Sequence, residues 1–314
     1  MNRREFLKAA SCSGMGLAAA GCRQSSRTAG AVSYALDEKG TLNLVVPGIT
    51  ESVRVFLSSD THLALHDGRD DAYAGNYARM AKYPGDPEAF SGMLAKARKA
   101  NADLLALTGD IISFPTLANV EFVHDELERS GLDWMYTAGN HDWHFEGVPG
   151  SDAEQRAEWA PKRLATLYRG ADPFMSSKVV KGVRFVAIDN SIYHISESQL
   201  AFWRAEAAKN DPIVLLMHIP LWMEGFGTGT CGCPKWGAAV DDIWQIERRE
   251  KWAERQSAAS FAFREEVLAT SNLVAVFTGH IHRGLYAAAQ GKFLFSIPKG
   301  TKGYHWDIRI GPAA

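Results

Sequence analysis

The chain has 314 residues, 46% hydrophobic and 22% charged, with a net charge of −2. This is ordinary globular usage, long enough for one large α/β domain or two smaller ones. The near-neutral balance gives no sign of a nucleic-acid or anionic-membrane partner, and the uncharged run from Ala9 to Cys22 is too short to span a bilayer comfortably.

Residues 1–31 read as a targeting segment with a short linker, and residues 32–314 as one domain. "NRREFLK" places Arg3 and Arg4 before Phe6 and Leu7, and a weakly apolar run of small residues follows to Gly21. This resembles a twin-arginine export signal and predicts a periplasmic or envelope location. Two endings stay open: lipid attachment at Cys22, in "AAAGC", or cleavage after Ala31, in "AGA". Cys231 and Cys233 form "CGC" in the mature chain, either as a strained disulfide or as two free thiols.

From residue 41 onward, strand-like and helical runs alternate. "TLNLVVPG" and "SVRVFLSSD" predict a first hairpin. "DPEAFSGMLAKARKANA" predicts a helix capped by Asp86, with Pro87 in its first turn and Phe90, Met93, Leu94 and Ala97 on one face. "DLLALTGD" predicts a short buried strand, "NVEFVHDELERSG" a helix stopped at Gly131, and "DWMYTAGN" another strand. "DAEQRAEWAPKRLATLYRG" predicts a helix broken before Pro161. "VRFVAIDN" predicts a strand, and "SESQLAFWRAEAAKN" a helix with a Ser196–Gln199 capping box. "PIVLLMHIP", "NLVAVFTGH", "KFLFSIP" and "YHWDIRI" predict strands. The alternation implies a mixed α/β sandwich. Residues 221–256 break the rhythm with Trp222, Trp236, Trp244 and Trp252. This insertion is either a surface excursion packed by its own aromatics or a wall over a site at the strand end before it.

Five strand-like runs stop at clusters of Asp, Asn or His: Asp60-Thr61-His62, Gly109-Asp110, Gly139-Asn140-His141-Asp142, His218, and Gly279-His280-Ile281-His282. Singly, each is a common turn or a lone polar residue. Together they fit the crevice at the carboxyl ends of strands in open α/β folds. Imidazole and carboxylate suit borderline ions such as Mn, Fe and Zn, and two ions a few ångströms apart can clamp both oxygens of an in-line displacement at phosphorus. Asparagine adds an oxygen without charge, and the glycines allow tight turns.

In this order the motifs resemble those of the calcineurin-like metallophosphoesterases: D-x-H, G-D, G-N-H-[DE], a lone H, then G-H-x-H. The resemblance implies a four-layer α/β/β/α sandwich and a dinuclear centre of divalent or trivalent ions. It implies that Asp60, His62 and His282 bind the first ion, that Asn140, His218 and His280 bind the second, and that Asp110 bridges them. A bridging hydroxide would then attack a phosphate-ester substrate, with phosphodiesters favoured over phosphomonoesters and a non-catalytic binding module less favoured. The resemblance further implies that His141 assists the phosphoryl group or the leaving oxygen, and that Asp142 orients His141. Ser113 stands three positions after Asp110, where purple acid phosphatases carry an iron-binding tyrosine, and this argues against that branch. His144, Trp143 and Trp222 are candidate pocket residues. His66 is a candidate for the rim, and Arg69 and Arg283 for phosphate contact. His124, His194 and His305 read as structural.

Overall fold

The computed structural model describes residues 32–37, 39–221, 257–289 and 291–312. Among these residues the strands, in chain order, are β1 (Ser33–Leu36), β2 (Thr41–Val46), β3 (Val53–Ser58), β4 (Leu104–Thr108), β5 (Trp134–Thr137), β6 (Met175–Val180), β7 (Val183–Ile188), β8 (Ile213–Leu216), β9 (Leu273–Thr278), β10 (Leu285–Ala289), β11 (Lys292–Ser296) and β12 (Trp306–Pro312). They form two six-stranded mixed sheets, ordered β1-β2-β12-β3-β4-β5 and β10-β11-β9-β8-β7-β6.

The period-two alternation of the strands decides the layering. In β4, Leu104 and Ala106 enter the core between the sheets, while Leu105 and Leu107 enter an outer core. In β8, Val214 and Leu216 enter the same inner core, while Ile213 and Leu215 face the opposite outer core. Strands buried on both faces carry apolar residues throughout. Helices cover both outer faces. On the first sheet lie α1 (Ala74–Tyr77), α2 (Pro87–Lys99), α3 (Leu117–Ser130), α4 (Asp152–Arg163) and α5 (Ala165–Tyr168); on the second lie α6 (Glu197–Ala207) and α7 (Ala258–Ala269). The result is the four-layer α/β/β/α sandwich implied by the motifs.

Local signals set several boundaries where expected. The Asp86 carboxylate accepts the backbone N–H groups of Glu88 and Ala89 at the start of α2, and Ser196 and Gln199 close a capping box on α6. Gly131 ends α3 in the left-handed conformation, with φ of 66°.

Two expectations change. The first hairpin is β1–β2, not β2–β3, because β12 lies between β2 and β3, parallel to the former and antiparallel to the latter. Helix α4 runs through Pro161 to Arg163, and the break comes at Leu164. The buried residues Trp159, Ala160, Leu164 and Leu167 anchor that stretch in the outer core, and their burial offsets the ~3 kcal/mol that an interior proline costs. Strands β6 and β10 carry no strong pattern, because both are edges of the second sheet.

Strands β3, β4 and β5 run parallel, as do β7, β8 and β9. Each triplet therefore ends along one rim, and the two rims meet: His218 Nδ1, after β8, lies 2.8 Å from the carbonyl oxygen of Thr108 at the end of β4. Among the described residues no helix is long and apolar enough to cross a membrane.

Candidate metal centre

The loops at this rim are strained in a consistent way. Asp60, His62, Asp110, His280 and His282 all have positive φ, between 50° and 67°. For residues with a Cβ this region is costly, and it persists where the surroundings enforce it. Backbone bonds supply the enforcement. Asp60 N–H donates to Gly109 O, His62 N–H to Asp110 O, and Leu63 N–H to Ile111 O, lacing the loop after β3 to the loop after β4. Gly279 N–H donates to His218 O, tying the loop after β9 to that after β8. A Cβ on Gly279 would collide with the side chains of Ser59 and Asp60, so this approach admits only glycine.

These loops gather two sets of donor atoms. Asp60, His62, Asp110 and His282 place one potential ligand atom each within 4.8 Å of the others, and Asp110, His218 and His280 do the same. Asp110 belongs to both sets. His62 Nε2 and His282 Nε2 are 2.9 Å apart, a spacing suited to two imidazoles converging on one ion at about 2.0–2.1 Å. His282 Nε2 lies 3.3 Å from Asp60 Oδ1, and His218 Nε2 lies 3.2 Å from Asp110 Oδ2. His218 Nδ1 faces the carbonyl oxygen of Thr108 and so carries the proton, which leaves the Nε2 lone pair for an ion. The Asn140 Oδ1 atom is buried with no hydrogen-bond partner, as are His62 Nδ1 and His141 Nδ1. A buried carbonyl oxygen without a donor, beside these imidazoles and carboxylates, is suited to serve as an oxygen ligand. The donor set is nitrogen and oxygen throughout and fits a pair of borderline ions.

The electrostatics agree. Burial holds His62 down to about 3, so its imidazole is neutral and able to coordinate. Against its burial, the imidazoles of His218, His141 and His62 hold Asp110 well below the usual carboxylate range. Burial opposes a charge on His218, but the Asp110 carboxylate beside it prevails and lifts it to about 9, so an ion taken up here displaces the Nε2 proton.

Two expected roles change. Asp142 does not orient the His141 ring. Its Oδ2 accepts the N–H groups of Asp110 at 2.7 Å and Gly139 at 2.6 Å, and its Oδ1 accepts that of Ile112 at 2.9 Å. It is a clamp joining the loop after β4 to the loop after β5. Burial and the Asp110 charge lift it to about 7, while the N–H donors pull the other way. Trp143 is not a pocket wall. It is buried in the outer core, and its indole N–H donates to Ser191 Oγ at 2.8 Å.

His141 does sit at the rim of the site. Its backbone N–H donates to Asp110 Oδ1 at 2.9 Å, and its ring stands edge-on to His62 with centroids 5.2 Å apart. His144, half-buried, is held below its ordinary value by burial and by His141. Trp222, Cys231, Cys233 and the rest of the insertion to residue 256 lie outside the described residues, as do Cys22 and the segment before residue 32. Arg69 is paired with Asp67 and Glu121, so its guanidinium is committed away from phosphate. His66 is exposed and packs beside Tyr77, and His305 stacks on Phe56.

Residues Asn190 and Tyr193, after β7, also reach the site and were not anticipated. Asn190 Oδ1 accepts the N–H groups of His218 at 3.2 Å and Ile219 at 3.0 Å. Tyr193 Oη lies 3.3 Å from His280 Nε2. The run "VAIDN" has the same apolar-then-Asp-Asn form as the other strand ends, and that was the available signal.

A protein of Psychrobacter arcticus named "Probable cyclic nucleotide phosphodiesterase" is 22% identical over 258 residues, covering 78% of this chain and 79% of that one. A second protein of that name, from another Psychrobacter strain, is 26% identical over 220 residues, and the match spans 68% of this chain and 55% of the relative. A dimetal phosphatase from Danio rerio shares the fold, with a TM-score of 0.51, 13% identity, and coverage of 80% of this chain and 88% of that one. Residues 53–284 match the calcineurin-like phosphoesterases, and the chain belongs to that family of metal-dependent phosphoester hydrolases.

Proposed function

We propose that the chain hydrolyses phosphodiesters at a dinuclear centre, with Asp60, His62 and His282 holding one ion, Asn140, His218 and His280 the other, and Asp110 shared. The observation that carries this reading is the double membership of Asp110, whose carboxylate has two oxygens and lies in both donor sets. Bound there, a pair of Mn, Fe or Zn ions supplies Lewis acidity to a phosphoryl group and an activated water. The chain's own groups do the rest. Asp142 and the backbone lacing hold the ligands in strained, preorganised positions. The His141 ring, beside His62, protonates the leaving oxygen or stabilises the phosphoryl group; removal of such a group costs about 10²–10⁴-fold in rate.

Phosphodiesters are preferred because two relatives bear the name of cyclic nucleotide phosphodiesterases, which makes cyclic nucleotides the first natural substrates to assay. The test is metal-reconstituted turnover of bis-p-nitrophenyl phosphate, p-nitrophenyl phosphate and cyclic nucleotides, repeated with His141→Ala. Turnover of diesters above monoesters, lost in the variant while both ions are retained, is the expected result. Monoester preference would overturn the substrate assignment, and an unchanged variant would remove His141 from the chemistry.

The adjacent Arg3 and Arg4, with the small-residue run behind them, support export by the twin-arginine route to the periplasm or envelope, with Cys22 as the lipid-attachment site. Cell fractionation of the full chain beside an Arg3→Lys/Arg4→Lys variant tests the route, and metabolic labelling with a fatty-acid analogue tests Cys22.

A further inference from the structure

We propose that Tyr193 is a positioning residue for the second ion: its hydroxyl holds the His280 imidazole by Nε2, so that Nδ1 is the nitrogen His280 offers to the metal. The inference rests on the dinuclear reading and refines it.

Three observations carry it. The first is contact. Tyr193 Oη lies 3.3 Å from His280 Nε2, and the two rings stand edge-on with centroids 5.6 Å apart at 76°. Metal-binding histidines commonly commit their second ring N–H to a partner, which sets the tautomer and the ring angle. His218 does this through Nδ1 and the Thr108 carbonyl. His280 does it through the opposite nitrogen, with Nε2–H donating to the tyrosine oxygen.

The second is strain. Tyr193 has φ of 61°. Of the other described non-glycine residues with positive φ, Asn101, Arg169, Lys181 and Asn210 lie at helix ends or in the β6–β7 turn, where local geometry asks for that conformation. The remaining five are the site residues Asp60, His62, Asp110, His280 and His282. Tyr193 is the sixth at the site. A tyrosine in this region costs of order 1 kcal/mol, which glycine would avoid and asparagine reduce. Its presence points to what the side chain touches.

The third is anchorage. The loop carrying Tyr193 is fixed on both sides. Asn190 accepts the backbone N–H groups of His218 and Ile219 and donates to the Ile219 carbonyl at 2.7 Å, while Ser191 accepts the Trp143 indole N–H. Tyr193 thus reaches His280 from a base already tied to the loop bearing His218 and to the loop bearing Asn140. One segment that supplies no ligand sets the relative position of all three.

The experiment loads the full-length protein, Tyr193→Phe and Tyr193→Asn with Mn²⁺ or Zn²⁺. It then dialyses each against graded chelator, counts ions per chain by plasma mass spectrometry, and records melting without metal. The expected result is two ions on the unaltered protein and a second ion held about tenfold or more weakly in Tyr193→Phe, with the first ion and the metal-free melting temperature unchanged. Tyr193→Asn, which suits the backbone, weakens the second ion likewise. Equal retention of both ions by all three proteins, or equal weakening of both ions in the variants, overturns the role of Tyr193 and leaves the dinuclear reading standing. Failure of the unaltered protein to hold a second ion overturns both.

Discussion

The carboxylate of Asp60 accepts the backbone N–H of His280 at both of its oxygens, 3.0 Å each, across 220 positions of sequence. Asp60 is assigned to one ion and His280 to the other, so a ligand of the first site is also a brace for the second. Asp60→Ala should therefore release both ions, while Asp60→Asn, which keeps one acceptor oxygen for the N–H, should retain the second. Ion counts per chain after dialysis check this. Release of only the first ion by Asp60→Ala would show that the brace is dispensable.

Asp142 accepts three backbone N–H groups from the loops that carry Asp110 and Asn140. Asp142→Asn would turn an amide N–H₂ toward a backbone donor and leave a buried N–H unpaired, at a cost of about 1–3 kcal/mol in the metal-free protein. Metal affinity should fall by about 10–100-fold, as for other groups that orient ligands. Chemical denaturation and chelator competition measure the two effects. A loss of turnover with neither effect would restore the direct role on His141.

Gly279→Ala removes no ligand, yet its methyl group would meet Ser59 and Asp60. Overpacking of this kind typically costs about 1–3 kcal/mol. The variant should fold with a lowered melting temperature and bind the first ion poorly, because Asp60 must shift. Normal metal content and activity in Gly279→Ala would mean that the rim loops yield more easily than their hydrogen bonds imply.

His305, away from the site, gives a pH dependence with a definite sign. Burial holds its imidazole below the ordinary value of 6.5, although its ring nitrogen bonds to the Gly303 carbonyl. The unfolded chain then takes up a proton at higher pH than the folded one. The stability that neutral His305 contributes is complete above about 6.5 and is lost as pH falls through its lowered folded value. Urea unfolding at pH 7.5 and 5.0 should show a smaller loss for His305→Gln than for the unaltered protein. Identical losses would assign the acid sensitivity to other groups.

Much of this was legible in sequence because the relevant signals are local. The apolar runs, the caps at Asp86 and Ser196, and the polar clusters at strand ends each occupy a few adjacent residues. Parallel strands then bring those clusters to one rim without further information. What was illegible depends on partners far away. Nothing near Pro161 announces that Trp159 and Leu167 are buried deeply enough to carry a helix past it. Nothing in "GNHDW" says whether Asp142 faces the next imidazole or the backbone of a loop 30 residues upstream. The "VAIDN" run before Tyr193 marks a strand end but not the tyrosine itself, whose meaning lies in a backbone angle and in a histidine 87 positions later.

The placement of β12 bears on how the molecule is assembled. Its Asp307 meets the Arg54 guanidinium with both oxygens, at 2.9 and 2.7 Å, over a separation of 253 residues. Until that strand arrives, β2 and β3 each present an unpaired edge, and the first sheet exists only as two fragments. The closing contact spans 253 residues, and contacts of such high sequence separation carry the loop-closure cost that slows folding across small domains. In the finished sheet β12 covers one edge of each of these strands, and so removes two of the unpaired edges through which chains aggregate.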